Sequence, residues 1–457
     1  MAWLKFFFVF FIVQSCFAKF LSLTQAIDIA LKKNPNLINA RIDRTAQKYS
    51  IKVSEQEFKP NYFFEAFANT MEEKNRRIVE RSRIFQMIQD SATLHPYVNY
   101  KNTYGTEVKM SSTFNSRHDF LPQLHITQNF IRGFDPKINS TTLDNTIDQN
   151  QIDIIALNLE TATIISDTIK AYLDIVSSDQ EINAALRSLK ISRDEVKRSM
   201  ILFSKGLDSK KSLDINKIAL RQAQSNLSES RSIRKIKVNT LKDLLNITSS
   251  APLVLEDPTQ FLMRFYPIPS KESAQRYVLK NNMEYQQLLI QKRQNERLLA
   301  KAKDDQKWDL NLETITDLAD PQHHSAVSLN LSVPIRDFPR KQLLVNAKVT
   351  LRKSQQNIIA KEKQLINEVS DTIDSLKLDL DTMHNQYVEI IRRDELIRLF
   401  EKRLQNDQIS LFEFNREIFE RENDADAYTS TMMKYLGKLI VLNLKMGLTL
   451  DQWHVKS

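Results

Sequence analysis

Lys59-Pro60-Asn61-Tyr62-Phe63-Phe64-Glu65-Ala66-Phe67-Ala68 decides how the chain is read. Ahead of it, apolar residues recur at helical spacing from about Leu37 to Glu57. After the proline, Tyr62, Phe64, Ala66 and Ala68 alternate with Phe63, Glu65 and Phe67, the period of a strand with one apolar face. The same switch recurs without a gap 248 positions later, where Leu310, Leu312, Thr314 and Thr316 alternate with Asn311, Glu313, Ile315 and Asp317. The stretches ahead keep that phase too, Leu31-Lys32-Lys33-Asn34 against Leu279-Lys280-Asn281-Asn282. In-phase recurrence of a helix and a strand marks a duplicated structural unit, and it points Glu65 and Glu313 to the same side of their strands.

Each unit carries a second strand, expected at about 121–131 and 325–335, again apolar on one side and polar on the other. Between these the offset is 205, so the first unit holds an insert of about forty residues, roughly 71–115. It carries Glu72-Glu73, Arg76-Arg77, Arg81 and Arg83, with a short helix expected at 77–89, and reads as a surface loop. A long helical hairpin follows each strand pair. Ile175, Ile182, Leu189, Val196 and Phe203 fall seven apart in the first, and Val369, Leu376, Met383, Ile390, Ile397 and Leu404 in the second. Leu411, Ile418, Ala425, Met432, Leu439 and Met446 repeat the interval on a return helix, so the pattern is a coiled-coil seam. A helix of about 65 residues spans roughly 100 Å, longer than a globular core. Such hairpins must pack against one another.

Composition agrees with extended helices: the 457 residues include five glycines, and 26% are charged. The net charge of +9 comes from 65 basic and 56 acidic residues that interleave, as on solvated helix faces, and no nucleic-acid-binding motif accompanies it. Lys5 precedes an apolar run from Phe6 to Val13 and small or neutral residues up to Ala18, the pattern of a secretory signal peptide. That run is too short for a membrane-spanning helix of about 20 apolar residues, a length no other segment reaches. Cys16, the single cysteine, is either a lipid-attachment site in Val13-Gln14-Ser15-Cys16 or part of an ordinary cleavage signal before Lys19. On the second reading the mature chain has no thiol chemistry and no cysteine metal site. The expected organisation is a signal peptide at 1–18, a first repeat at 19–247, a linker at 248–270 and a second repeat at 271–450.

Four strands of about ten residues can cross a bilayer but cannot close on themselves. A membrane sheet must have no open edge, and the smallest barrels have about eight strands. Chains must therefore pool their strands in a ring, with the hairpins forming a tube of coiled coils about the same axis. The fold class expected is mainly α with a β-barrel part.

At this point the chain resembles the TolC-like outer-membrane efflux family. The likeness rests on Leu23-Thr24-Gln25-Ala26-Ile27, Asn34-Pro35-Asn36-Leu37, Lys59-Pro60, Gln128-Asn129-Phe130-Ile131-Arg132-Gly133 and Val333-Pro334-Ile335-Arg336-Asp337, in that order. It covers nearly the whole mature chain. The resemblance implies a homotrimer, four strands per chain in one twelve-stranded outer-membrane barrel, and a helical tunnel in the periplasm of a Gram-negative bacterium. The partners implied are a periplasmic adaptor protein, an inner-membrane transporter and outer-membrane lipid, with no nucleic acid. The implied role is passive export by efflux or type I secretion, with no catalysis and no cofactor.

The resemblance also places the periplasmic entrance and the adaptor-docking surface at the hairpin tips. The first tip, Phe203-Ser204-Lys205-Gly206-Leu207, matches the family's aromatic-x-x-Gly-apolar turn, and its glycine suits a left-handed residue. The second, Leu404-Gln405-Asn406-Asp407-Gln408-Ile409-Ser410, has Asp407 in the glycine's place, and Asp tolerates that region better than most residues. Two aspartates that form acidic rings in similar proteins are here Glu413 and Arg416. These two either pair across adjacent helices and hold the entrance closed or are solvated surface charges. Glu65, Glu313 and Asp317 are expected in the barrel lumen, because charge on the lipid side is costly. Tyr62, Phe63, Phe64, Phe67, Trp308 and Phe338 lie near strand ends, where an interfacial aromatic belt would sit, with packing between strand and helix the equal alternative for Phe63 and Phe67.

Other groups point to little chemistry. His323-His324 beside Asp320 lacks a third spaced metal ligand, and Asp304-Asp305 and Glu72-Glu73 have no nucleophile near them in the pattern. A cell-surface coiled-coil protein, such as an adhesin stalk, is the competing class, although it needs no strand pairs between its helices.

Overall fold

The computed structural model describes residues 20–68, 92–115, 120–248, 253–319, 325–406 and 408–455. The signal segment, Cys16, Glu72-Glu73, the helix expected at 77–89, Asp320, His323-His324 and Asp407 lie outside the described residues. Eight strands are described: β1 (Phe20–Leu21), β2 (Asn61–Ala68), β3 (Ala92–Lys101), β4 (Thr106–Asn115), β5 (Phe120–Asn129), β6 (Val254–Leu255), β7 (Asp309–Asp317) and β8 (Ser325–Ser332). The chain divides into two compact units. One comprises Met1–Asn39, Leu159–Asn281 and Leu365–Ser457, the other Ala40–Asn158 and Asn282–Gln364, so each draws on both sequence repeats. No described helix is long and apolar enough to cross a membrane.

The second unit holds a six-stranded sheet in the order β2-β3-β4-β5-β7-β8, every neighbouring pair antiparallel. Here the structure corrects the sequence reading. Residues 92–115, which the internal repeat predicts to be loop, form the hairpin β3-β4 and enter the sheet between β2 and β5. The chain brings six strands, not four. Its alternation was legible in Leu94, Val98 and Tyr100 against His95, Tyr97 and Asn99. Two signals hid it: the repeat has no counterpart for these residues, and Pro96 removes a ladder donor from what proves to be an interior strand.

The tight turn between β3 and β4 is fixed at the helix-proximal end of the sheet. Asn102 Oδ1 accepts hydrogen bonds from the N–H groups of Tyr104 (2.9 Å) and Thr106 (3.0 Å), an Asx-type turn. Gly105 has φ +76, and a Cβ added there would lie 2.2 Å from the carbonyl oxygen of Gly133. Only glycine lets the turn lie so close to the segment leaving β5. Asn139 Nδ2 then donates to the carbonyls of both Thr103 and Gly133 at 2.7 Å, tying the two segments together. Gly133 N–H donates to buried Asp304 at 2.8 Å, and Arg132 pairs with Asp309 at 2.5 Å. These contacts account for Arg132-Gly133 after the strand.

Below the sheet, Asp148 on helix Thr141–Ser204 is buried at 3% exposure and accepts from Arg293 and Arg297 of helix Met283–Asp304, the Arg297 bond at 2.6 Å. Burial alone would raise the Asp148 carboxyl. The two guanidinium groups outweigh it and hold the carboxyl below its ordinary value of 3.8.

In the first unit, β1 pairs in parallel with β6, and the segment expected as a linker carries β6 and the helix Thr259–Phe265. The Tyr172 hydroxyl, fully buried, lies 2.7 Å from the carbonyls of Leu21 and Glu256 and accepts from the Glu256 N–H at 2.9 Å. It links both short strands to the long helix, and burial pushes its pKa up to about 12. Asn34, 3% exposed, caps the helix Pro35–Gln56 through Oδ1 and donates to Leu244 O at 3.0 Å. Asn282 caps helix Met283–Asp304 in the same way, accepting from Tyr285 N–H at 2.9 Å. The repeat therefore preserves a helix start as well as a strand. Ile175, Val369, Leu376 and Leu439 are fully buried, and Met383 and Met446 nearly so, as the heptads require, but Phe203 and Leu411 near the tips are exposed.

Two substitutions test this packing. Tyr172→Phe removes the donor to buried strand carbonyls and is expected to destabilise the protein by about 1–3 kcal/mol in denaturant unfolding. Asp148→Asn is expected to cost a similar amount, about 1–3 kcal/mol, at pH 7. Because the Asp148 pKa is depressed on folding, its contribution is present above pH 3.8 and lost as pH falls through its lower folded value. The difference between wild type and Asp148→Asn should therefore shrink in that acid range.

Candidate functional site: a two-faced sheet and a helical entrance

Register and pleat sort the strand residues onto two faces. Tyr62 lies opposite Val98, Val98 opposite Met110, Met110 opposite Leu124 and Leu124 opposite Thr316. Along the same face Leu312 opposes Leu329 and Leu310 opposes Leu331. No Asp, Glu, Lys, Arg or His occurs on this face among the described side chains. Val327, Leu329 and Leu331 are 65%, 66% and 59% exposed. Such a contiguous apolar surface is not tolerated in water. In lipid it is favourable, whereas one charged residue at mid-depth costs about 2–4 kcal/mol.

All the ionisable strand residues apart from tyrosines at the ends of the apolar face lie on the opposite face, where several of them bond to one another. Glu65, Glu313 and Asp317 share it, as the sequence predicts. Tyr97 Oη donates to Glu65 at 3.2 Å, stacks on Phe63 at 4.6 Å and carries the Lys109 ammonium 4.5 Å from its ring centre. His95 Nδ1 lies 3.2 Å from Thr113 Oγ1. His125 Nε2 is 2.6 Å from Glu313 Oε1, whose other oxygen accepts from Asn330 at 3.1 Å. Tyr62, Phe64, Trp308 and Phe338 are exposed near strand ends, whereas Phe63 is engaged with Tyr97.

The hairpin tips lie in the first unit. At the first, Leu207 N–H donates to Leu202 O (2.9 Å) and Gly206 N–H to Phe203 O (3.0 Å), with Gly206 at φ +73. This pair of bonds closes the helix as a Schellman motif. No atom lies within 4 Å of where a Gly206 Cβ would be, so the glycine answers a backbone demand and not a steric one. Lys205 and Leu207 stand exposed beside it. Ser209 caps the return helix, and Asp208 accepts from the Ser199 hydroxyl at 2.7 Å. At the second tip Gln408 N–H donates to Arg403 O at 2.9 Å, repeating the five-residue span of the first, and Ile409 leads into the cap.

Glu413 closes that cap. Its carboxylate accepts from Ser410 N–H at 2.8 Å while Ser410 Oγ accepts from Glu413 N–H at 3.3 Å, a reciprocal capping box. The Ser410 backbone bond, with help from its hydroxyl and from Arg198, holds the Glu413 carboxyl below its ordinary value. Within one chain Glu413 is thus engaged by its own helix. Arg416 has no ion-pair partner among the described residues and borders an open cleft of about 430 Å³ with Asp194, Glu195, Phe412 and Glu420. Arg198 lies 4.4 Å above the Phe412 ring.

Further from the tip, helix Leu411–Lys445 is pinned on two sides. Arg187 pairs with Glu422 (3.0 Å) and with Asp426, and Arg393 with Asp424 (2.7 Å) and Glu417 (3.4 Å). Arg421 returns a bond to Asp394 at 2.9 Å. These residues do not stand out in the sequence, because interleaved charges on a long helix read as a solvated face. The one signal is the density of acid in Glu417, Glu420, Glu422, Asp424 and Asp426.

No protein-family model and no curated protein sequence matches the chain. Solved structures do. The CmeC outer-membrane channel of Campylobacter jejuni superposes with a TM-score of 0.63 at 14% identity, over 93% of this chain and 85% of that one. The outer-membrane protein VceC of Vibrio cholerae gives 0.61 at 10% identity over 94% and 95%. The open state of the Neisseria gonorrhoeae MtrE outer-membrane channel gives 0.62 at 12% over 93% and 88%. The chain has the fold of the TolC-like outer-membrane channels.

Proposed function

We propose that the chain is one subunit of an outer-membrane export duct, a passive channel that works with a periplasmic adaptor and an inner-membrane transporter in tripartite efflux or type I secretion and catalyses nothing itself. One observation carries this reading: a sheet with a charge-free face, a polar face and two edges that are unpaired among the described residues. β2 runs away from its helix and β8 runs back toward its own. An even-stranded meander with opposed edges lets β8 of one copy pair antiparallel with β2 of the next, closing a ring with no free backbone. Three copies, as in similar channels, would do so. Exposed apolar residues on the helices, such as Ile218 and Ile236 at 66% and 63%, also support contacts between copies.

In that assembly Glu65, Glu313 and Asp317 line the lumen. Lys205, Gly206, Leu207, Gln408, Ile409 and Ser410 form the tips that meet the adaptor. Glu413, Arg416 and Asp407 surround the periplasmic entrance. Arg416, without an ion-pair partner among the described residues, is available to a carboxylate of a neighbouring copy, and the Arg187 and Arg393 pairs hold the entrance helices together.

Full-length protein purified in detergent should have the mass of about three chains and form ion-conducting pores in planar bilayers. A water-soluble rod without conductance would sink the proposal and favour a structural coiled-coil role. Exposed pairs contribute about 0.2–1 kcal/mol each. Counting one such contribution for each arginine, replacing Arg187 and Arg393 together by Ala should therefore raise the open population by up to about thirtyfold, read as increased conductance. Unchanged conductance would remove those pairs from gating.

A further inference from the structure

We propose that the hairpin β3-β4 is a full part of the membrane wall, with Leu94, Pro96, Val98, Val108, Met110 and Phe114 facing lipid acyl chains, so that six strands from each of three chains make a barrel of eighteen. The inference rests on the export-duct reading above. Four independent features of the hairpin support it.

Both of its outer edges are paired, β3 to β2 through eight residue pairs and β4 to β5 through nine, so it interrupts the sheet and cannot lie across it as a loop. Each strand has ten residues, the span a tilted membrane strand needs. Its outward residues continue the charge-free face without a break. Val98 and Met110 fill the row between Tyr62 and Leu124, and Phe114 meets Phe120 at 4.8 Å between ring centres. Its charged residues, His95, Lys101, Glu107 and Lys109, all take the other face, where Tyr97 engages Glu65 and Phe63 from β2 and Lys109 lies over the Tyr97 ring. A solvent-exposed hairpin has no reason to segregate charge in this way.

Barrel diameter grows roughly linearly with strand number. Eighteen strands give about one and a half times the diameter of twelve, and about twice the cross-section. The additional wall adds Tyr97, Lys109 and His95 to the pore surface.

Single cysteines placed in the full-length chain, with Cys16 replaced by Ser, test the assignment. The variants are Leu94→Cys, Val98→Cys and Met110→Cys on one face and Tyr97→Cys, Lys109→Cys and Ser111→Cys on the other. In reconstituted channels a charged, membrane-impermeant thiosulfonate should modify the second set and step the conductance down, while the first set should react only with a lipid-soluble maleimide. Equal aqueous reactivity of all six, without a conductance step in channels that still conduct, would show a solvent loop and overturn the inference with the duct reading intact. Absence of pores in the parent protein would overturn both. Cryo-electron microscopy of the unmodified assembly in nanodiscs offers a direct count, eighteen strands supporting the proposal and twelve refuting it.

Discussion

An unpaired peptide group in hydrocarbon has no water to turn to, and each one costs several kcal/mol. The structure is organised around that constraint. The apolar face of the sheet suits lipid, yet β2 and β8 present open edges among the described residues, so the described sheet of one chain is incomplete in the medium its surface suits. The opposed directions of the two edge strands make a copy of the same chain the natural partner. In the proposed ring, assembly would follow from backbone chemistry, with the side chains deciding which face looks outward.

The helical unit meets a different requirement. Long helices gain little from local propensity and rely on packing along an apolar seam. Ile175, Val369, Leu376 and Leu439 provide it in the middle, flanked by ion pairs such as Lys438–Asp379, and toward the tips burial fades while ion pairs such as Arg187–Glu422 continue. This shift has a physical logic. Apolar burial is strong and hard to reverse, whereas partly exposed charge pairs are weak, screened by salt and easily exchanged. In the duct proposed above, the end that would admit cargo is the one where the apolar seam gives out.

Much of this was legible in the residues themselves. Tyr62, Phe64 and Leu312 alternate strongly enough to define strands, the heptads define the hairpins, and Gly206 marks a left-handed helix stop that the backbone adopts. The offset shared by Asn34 and Asn282 turns out to preserve a capping side chain as well as a phase. The same repeat misled at 92–115, because a ruler that measures recurrence assigns whatever fails to recur to a loop. The alternation of Leu94, Val98 and Tyr100 was present, but Pro96 and the absence of a counterpart argued against it. The links from Arg187 and Arg393 were not legible at all, since a partner dozens or hundreds of positions away leaves no local pattern. The capping role of the Glu413 carboxylate within its own helix is an addition from the structure.

The tight turn at Gly105 carries a consequence for how such a wall can change size. Because β3-β4 enters and leaves the sheet on the far side and turns back beside Gly133, it adds two strands without adding a strand-to-helix connection. β2, β5, β7 and β8 remain the strands that adjoin helices. The girth of the sheet is thereby uncoupled from the number of helices, and an ancestral gene could gain or lose a pair of staves while every helix kept its place in the chain. What permits this is the near contact of two glycines, where a single methyl group would force the turn away.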